Sequence, residues 1–302
     1  HVQMNSDGQK LIQFKTPTLD VKWEGLDSRP IVSLLRNFSA PILVSWNRPM
    51  DDYYFLAQND DDTFNRNESL QLYWLNSFKT LYTHIVLEKK NEATEAVKPL
   101  TNLMQSILNN TQLEEKVKAK LFGFPSNSVI MQFMGFLDAA GFQKTEAALK
   151  AYLGKALHSS LKEQILKLNT ELIRLENLSD HYDQNIAAKR ELKMNLADLI
   201  ESHETTTYPY ETNNFTSVLF HFVSELKVLN GEARKQAIVK FYEKWKSEPL
   251  VINKWLQSIA TSDHRETFET IKWVCANGYF NPENPNQVYS LLRNFGNNLF
   301  YF

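Results

Sequence analysis

At 302 residues, with 33 Lys plus Arg against 35 Asp plus Glu and a formal net charge of −2, the chain lacks the basic excess of a nucleic-acid binder. Forty-three per cent hydrophobic residues suffice for the core of one large or two ordinary domains, and nine glycines and ten prolines favour helices over turn-rich β architecture. The lone Cys275 excludes an intramolecular disulfide and fits a reducing, cytoplasmic setting, and no run of about eighteen apolar residues exists to span a membrane.

The chain opens on His1-Val2-Gln3 and not on methionine, as an excised or processed product would. Asn5-Ser6-Asp7-Gly8 is a turn signal, and Lys10-Leu11-Ile12-Gln13-Phe14 follows as a short strand candidate. Leu19-Asp20-Val21-Lys22-Trp23 alternates with period two, and Ile42-Leu43-Val44-Ser45-Trp46 reads as a further strand. These few strands cannot close a sandwich core by themselves. The first 46 residues are therefore expected to be a β unit, and 47–302 a helical one.

Asp60-Asp61-Asp62 lacks the one-three-five spacing of a calcium loop and reads as acidic residues favouring the positive end of the next helix. Leu70, Tyr73, Trp74, Phe78, Leu81, Tyr82 and Ile85 then recur at three- and four-residue spacing, the apolar stripe of a long helix. Phe215, Val218, Leu219, Phe222, Val223 and Leu226 repeat that pattern, Asn230-Gly231 breaks it, and Ala237, Ile238, Phe241 and Trp245 resume it. Glu248-Pro249 marks a tight turn, since proline in a first helical turn removes an amide that has no intrahelical partner. Trp245 and Trp255 on either side are expected to be core anchors. Asp263 with Glu266 resembles a capping box, Gly278 is placed to end that helix, and Asn284-Pro285 opens another with asparagine as cap. Helices joined by short breaks, without a clean repeat period, predict helix pairs stacked into an α-solenoid.

No histidine sits at metal-ligand spacing to a second His or Cys. His221 between Phe220 and Phe222 is expected to be partly buried and hydrogen-bonded, and Cys275 after Trp273-Val274 a small core residue. The N-x-S/T triplets at Asn37, Asn67, Asn109, Asn177 and Asn214 read as accidental in so asparagine-rich a chain.

Four stretches carry a resemblance, the fourth at Asn284 to Arg293. Phe241 to Trp255 around Glu248-Pro249 resembles a signature of the C-terminal helical domain of the bacterial-type aminopeptidase N family, zinc gluzincins. Pro30-Ile31-Val32-Ser33-Leu34-Leu35-Arg36-Asn37-Phe38-Ser39-Ala40-Pro41 looks like that family's P-V-P-S-L-L-R-x-F-S-A-P, and Leu121-Phe122-Gly123-Phe124-Pro125-Ser126-Asn127-Ser128 is similar to its L-x-L-P-S-E-S, with Asn127 in place of glutamate. The resemblance covers nearly the whole chain, firmly at 28–46 and 235–295. It implies the C-terminal strands of an immunoglobulin-like β-sandwich over 1–46, then a superhelical α-helical domain over 47–302, truncated at its end.

It further implies that the parent enzyme removes N-terminal amino acids from peptides with a zinc-bound water, in the company of N-terminal and catalytic domains that lie outside this chain. The family's H-E-x-x-H has its nearest counterpart at His203-Glu204-Thr205-Thr206-Thr207, where Thr207 replaces the second histidine, and G-[AG]-M-E-N is absent. No catalytic or metal residue is therefore expected in this chain, which would be inactive alone and would cap the active-site chamber. Asn284 to Arg293 resembles the family's N-P-N-R-V-R-x-L-I-G-A-F, a helix close to the peptide cavity. Gln287 and Tyr289 stand at its arginine positions and Arg293 at its glycine, and these three are the substrate-channel candidates. The competing expectation is a free-standing α-solenoid whose concave face holds a protein partner. The incomplete β segment and the apolar end Leu299-Phe300-Tyr301-Phe302 speak against it.

Overall fold

The computed structural model describes residues 3–4, 10–22, 24–42, 44–86, 90–176, 183–201, 215–298 and 300–302. The turn expected at Asn5 to Gly8, Trp23, Leu43, Asn177, His181, His203 to Thr207, Asn214 and Leu299 lie outside the described residues, as does His1. From Met50 onward the described residues are mainly helical: α1 (Met50–Asn59), α2 (Thr63–Val86), α3 (Lys90–Asn109), α4 (Glu115–Leu121), α5 (Asn127–Met134), α6 (Ala139–Ala156), α7 (His158–Glu176), α8 (Gln184–Glu201), α9 (Phe215–Val228), α10 (Gly231–Trp245), α11 (Pro249–Ala260) and α12 (Thr267–Ala276). A last helix begins at α13 (Pro285–Val288), widens into a π-helical stretch (Tyr289–Arg293) and ends as α14 (Asn294–Gly296).

The expected sandwich strands are not visible. Among the described residues the only β-ladder is a two-residue antiparallel pair, β1 (Gln3–Met4) with β2 (Lys10–Leu11). The alternating stretches at 19–22 and 44–46 pair with nothing, and Phe14, Leu19, Ile42, Val44 and Trp46 are exposed. A strand's amides and carbonyls need neighbouring strands, and alternation alone supplies none.

The segment carrying S-L-L-R-N-F is instead fastened to the α1–α2 turn. Arg36, four-fifths buried, pairs with Asp60 at 2.8 Å and with Asp61, while the Asn37 N–H donates to Asp62 Oδ2 at 3.0 Å. Asn65 Nδ2 donates to Ser33 Oγ at 2.9 Å and to the Leu34 carbonyl at 2.8 Å. These contacts hold Leu35, Asn37 and Phe38 in the left-handed region at φ 55, 53 and 53°, a conformation that costs an L-residue about 1–2 kcal/mol. The acidic run thus has two roles: Asp62 Oδ1 caps α2 by accepting from the Phe64 and Asn65 amides, and Asp60 and Asp61 receive Arg36. Arg29 makes a two-pronged pair with the buried Asp52 of α1.

Two apolar clusters organise the helices. The first gathers Trp74, Phe78 and Leu81 of α2, Leu100, Leu103 and Ile107 of α3, Leu149 and Leu153 of α6, Leu161 and Ile165 of α7, and Leu196 and Ile200 of α8. The second gathers Phe222 and Leu226 of α9, Ile238 and Phe241 of α10, Ile252, Trp255, Leu256 and Ile259 of α11, Ile271 and Val274 of α12, and Leu291 and Phe295. Helix α9 serves both, because Phe220 packs into the first cluster while Phe222 faces the second.

Helix ends in the second half follow local chemistry closely. Pro249 opens α11 behind Glu248, whose N–H donates to the Trp245 carbonyl at 2.8 Å. Gly278 at φ 78° lets the Tyr279 amide reach back to the Val274 carbonyl at 3.3 Å, so α12 ends in a Schellman-type turn. Asn284 Oδ1 caps α13 through the Asn286 amide at 3.0 Å. The Asp263/Glu266 capping box does not form: the Glu266 N–H donates to His264 Nδ1 at 3.1 Å, and Glu266 Oε2 accepts from the Gly231 amide at 2.7 Å.

The two tryptophans at the proline turn differ in burial, correcting the expectation that both anchor the core. Trp255 is 0% exposed against Tyr242 and Tyr279, whereas Trp245 is half-buried, edge-on to Phe215 with ring centroids 5.7 Å apart. Trp255→Ala is expected to cost about 3–5 kcal/mol and Trp245→Ala only about 1–2 kcal/mol. Denaturant midpoints measured at unchanged slope check the difference.

Candidate functional site

The last helix shows two faces. Leu291 and Phe295, four residues apart, are buried against α11, while Tyr289, Leu292 and Arg293 are exposed. Widening to π geometry displaces the backbone ladder, and Asn294 Nδ2 donates to the Tyr289 and Ser290 carbonyls, both at 3.1 Å. The Arg293 guanidinium lies 5.7 Å from the centre of the Tyr289 ring, a cation–π pair on open surface. The structure therefore brings Tyr289 and Arg293 together. Gln287 is engaged elsewhere: its Oε1 accepts from the Asn281 N–H at 2.8 Å and so ties down the turn before the helix.

A second group, which the sequence reading missed, surrounds the L-F-G-F-P-S-N-S stretch. Phe122, Phe124, Ser126 and Asn127 line an open cavity of about 390 Å³ together with Glu146 and Lys150 of α6 and Asp198 of α8. Lys150 Nζ lies 2.8 Å from both Glu146 and Asp198, and Lys227 of α9 reaches the other Asp198 oxygen at 2.6 Å. Burial alone would lower the Lys150 pKa, but Asp198 and Glu146 outweigh it and hold the ammonium above its ordinary value. Burial likewise opposes ionisation of Asp198, yet Lys150 and Lys227 hold its carboxyl well below the usual range. Both are fixed charges near neutral pH, suited to holding elements together and not to moving protons. The Glu146/Lys150 spacing of four was readable as a helix-surface pair; nothing local pointed to Asp198.

The remaining candidates stand apart from these groups. Cys275 is exposed on α12 and not in the core, because the helix turns Ile271 and Val274 inward, and burial of its surroundings still raises the thiol's pKa. His221 Nε2 lies 3.5 Å from Glu225, one turn along α9, and is half-buried as expected. His264 is buried; desolvation first and then the Arg234 charge lower its pKa, in keeping with a neutral ring whose Nδ1 accepts a hydrogen bond. Among the described residues no three His, Cys, Asp or Glu side chains converge as metal ligands. No described helix is long and apolar enough to cross a membrane.

A family described as a domain of unknown function (DUF3458_C) with ARM repeats matches residues 50–302. The chain belongs to this family. Among curated proteins this DUF3458_C chain is similar to aminopeptidase N of Caulobacter vibrioides, 24% identical over 97% of the chain and 34% of that protein. It is likewise similar to aminopeptidase N of Haemophilus influenzae, 23% identical over 91% of the chain and 31% of that protein, and of Escherichia coli, 22% identical over 88% and 30%. The chain thus spans about a third of the length of these relatives. Among solved structures, Legionella pneumophila aminopeptidase A, determined with aspartic acid, superposes with a TM-score of 0.74 at 20% identity, over 97% of this chain and 35% of that one. The shared fold extends over both apolar clusters.

Asp198→Asn leaves Lys227 without its partner and Lys150 with Glu146 alone, and is expected to cost about 3 kcal/mol at neutral pH. A carboxyl whose folded pKa is depressed stabilises above its unfolded value and loses that contribution as pH falls through the folded one. The native chain should therefore lose thermal stability from about pH 5 downward more steeply than the variant, as melting midpoints across that range would show.

Proposed function

We propose that this chain is the non-catalytic C-terminal part of a zinc aminopeptidase that removes N-terminal amino acids from peptides. The observation that carries the reading is the length relation: relatives named aminopeptidase N match almost all of this chain with only about a third of their own length. Residues 1–46 would complete a β-sandwich with chain that precedes them, which gives the exposed apolar residues of that segment a place to be buried. Residues 47–302 would cap the active-site chamber and limit access to short, unfolded peptides, in a cytoplasmic enzyme whose other partners are its own N-terminal and catalytic domains.

The zinc would belong to that preceding part. Thr207 stands where H-E-x-x-H needs its second histidine, and the described side chains converge on no substitute. The described residues do not fit the metal, so no chemical step is assigned to this chain. The chain alone is expected to hold no tightly bound zinc and to leave an aminoacyl amide reporter uncleaved. Metal analysis finding one zinc per purified chain would overturn that assignment.

On the chamber side, the exposed Tyr289 and Arg293 would meet incoming peptides, Arg293 through charge-assisted hydrogen bonds to a free carboxylate. In the complete enzyme, Arg293→Ala should raise KM for short peptides while kcat, and turnover of an uncharged single-residue amide, stay nearly unchanged. That pattern reports binding shared by ground and transition states. Equal effects on peptide and amide, or none on either, would return Arg293 to an ordinary solvated helix face.

A further inference from the structure

Away from both groups described above, Lys118 of α4 is nine-tenths buried, and its Nζ donates to the Leu108 carbonyl at the end of α3 at 2.8 Å. That contact occupies one of the ammonium's three donors. Lys118 lines a partly enclosed cavity of about 140 Å³ between the end of α3 and helices α4, α7 and α8, lined also by Thr111, Glu115, Gln164 and Lys167. Such a space holds roughly four or five waters, or one oxyanion of a few heavy atoms.

The charges around it do not balance. Glu115 is engaged by Lys189 at 2.9 Å, and Lys189 also holds Glu171 at 2.8 Å. Among the residues lining the cavity, two ammonium groups, Lys118 and Lys167, therefore face one carboxylate, Glu115, which already feels Lys167 and is bound by Lys189. Burial lowers the Lys118 pKa, Glu115 offsets this only in part, and the nearby Lys167 charge pushes it lower still. A buried ammonium is costly unless paired, and here it keeps spare donors beside a second ammonium, an amide and a hydroxyl.

We propose that this cavity binds a small oxyanion, a carboxylate or a phosphate-type group, through Lys118 and Lys167 with Gln164 completing its hydrogen bonds. The anion supplies the missing negative charge and links α4 to α7. Thr111 at the mouth and Lys167 at the exposed rim leave an entry from solvent.

The test is thermal unfolding of the 302-residue chain at constant ionic strength, with sodium chloride replaced stepwise by sodium phosphate, sodium sulfate or sodium acetate. The native chain is expected to show a saturable rise in midpoint, the mass-action signature of a ligand bound only by the folded state. Lys167→Met, at an exposed position whose loss does not endanger the fold, should weaken the apparent affinity by about tenfold. Lys118→Met should abolish the response, and if it fails to fold the Lys167 variant still decides the matter. Response to phosphate and sulfate alone assigns a tetrahedral anion; response to acetate assigns a carboxylate. A linear, non-saturating rise, no rise with any of the three salts, or an unaltered response in Lys167→Met overturns the proposal.

Discussion

The arrangement of the two helical halves rests on one carboxylate. Asp198 of α8 is largely buried where α6 and α9 converge, and it accepts from Lys150 on one side and Lys227 on the other. Withdrawing a carboxylate from water costs several kcal/mol even after relaxation, and only well-placed partners offset that. Both lysines must therefore be in position at once, which couples the placement of three helices to a single group. Apolar packing alone would constrain this seam less, since α9 is the helix through which the two clusters meet, by way of Phe220 and Phe222. Gln143 adds a lighter tie across the same seam, donating to Asp263 and, at 3.2 Å, to the Tyr301 hydroxyl.

Within the second half, Arg234 plays the corresponding part. Its guanidinium is 1% exposed and donates to the Leu226 carbonyl, to Thr270 Oγ1 at 2.9 Å and to Ser262 Oγ at 3.1 Å. Burial pushes its pKa down to about 10, so it remains charged at neutral pH, with the Glu266 carboxylate as the opposing influence. The planar fork suits this role because its donors diverge in one plane toward the end of α9, the α11–α12 turn and α12. Lys118 does the same for the end of α3. In each case a cation satisfies carbonyls at a helix C-terminus, where orphan acceptors and the negative dipole end both favour it. The helical layers are thus joined by polar groups at their ends and by apolar stripes along their lengths.

What the chain's own order of residues determined is local. The stripe in α2, the acidic run before it, the cap at Asn284, proline at the start of α11 and Gly278 after α12 each act within a few residues, so they are visible as spacing and residue type. Membership of Tyr289 and Arg293 in one helix followed in the same way, and so did the lack of any paired histidine spacing. What only the tertiary structure decided depends on contacts between residues far apart in the chain. Alternation at 19–22 and 44–46 makes no ladder, because strands need partners that alternation does not specify. Trp255 is enclosed and Trp245 half-open, although both lie at helical spacing beside the same proline. His264 takes the capping place that Asp263 was suited to, while Asp263 turns to Gln143 of α6. Arg36 finds its acidic partners 24 and 25 residues on, and Asp198 finds Lys150 on a different helix. Burial and charge pairing of this kind are set by which surfaces meet, and that is a property of the packed helices, not of any short stretch of sequence.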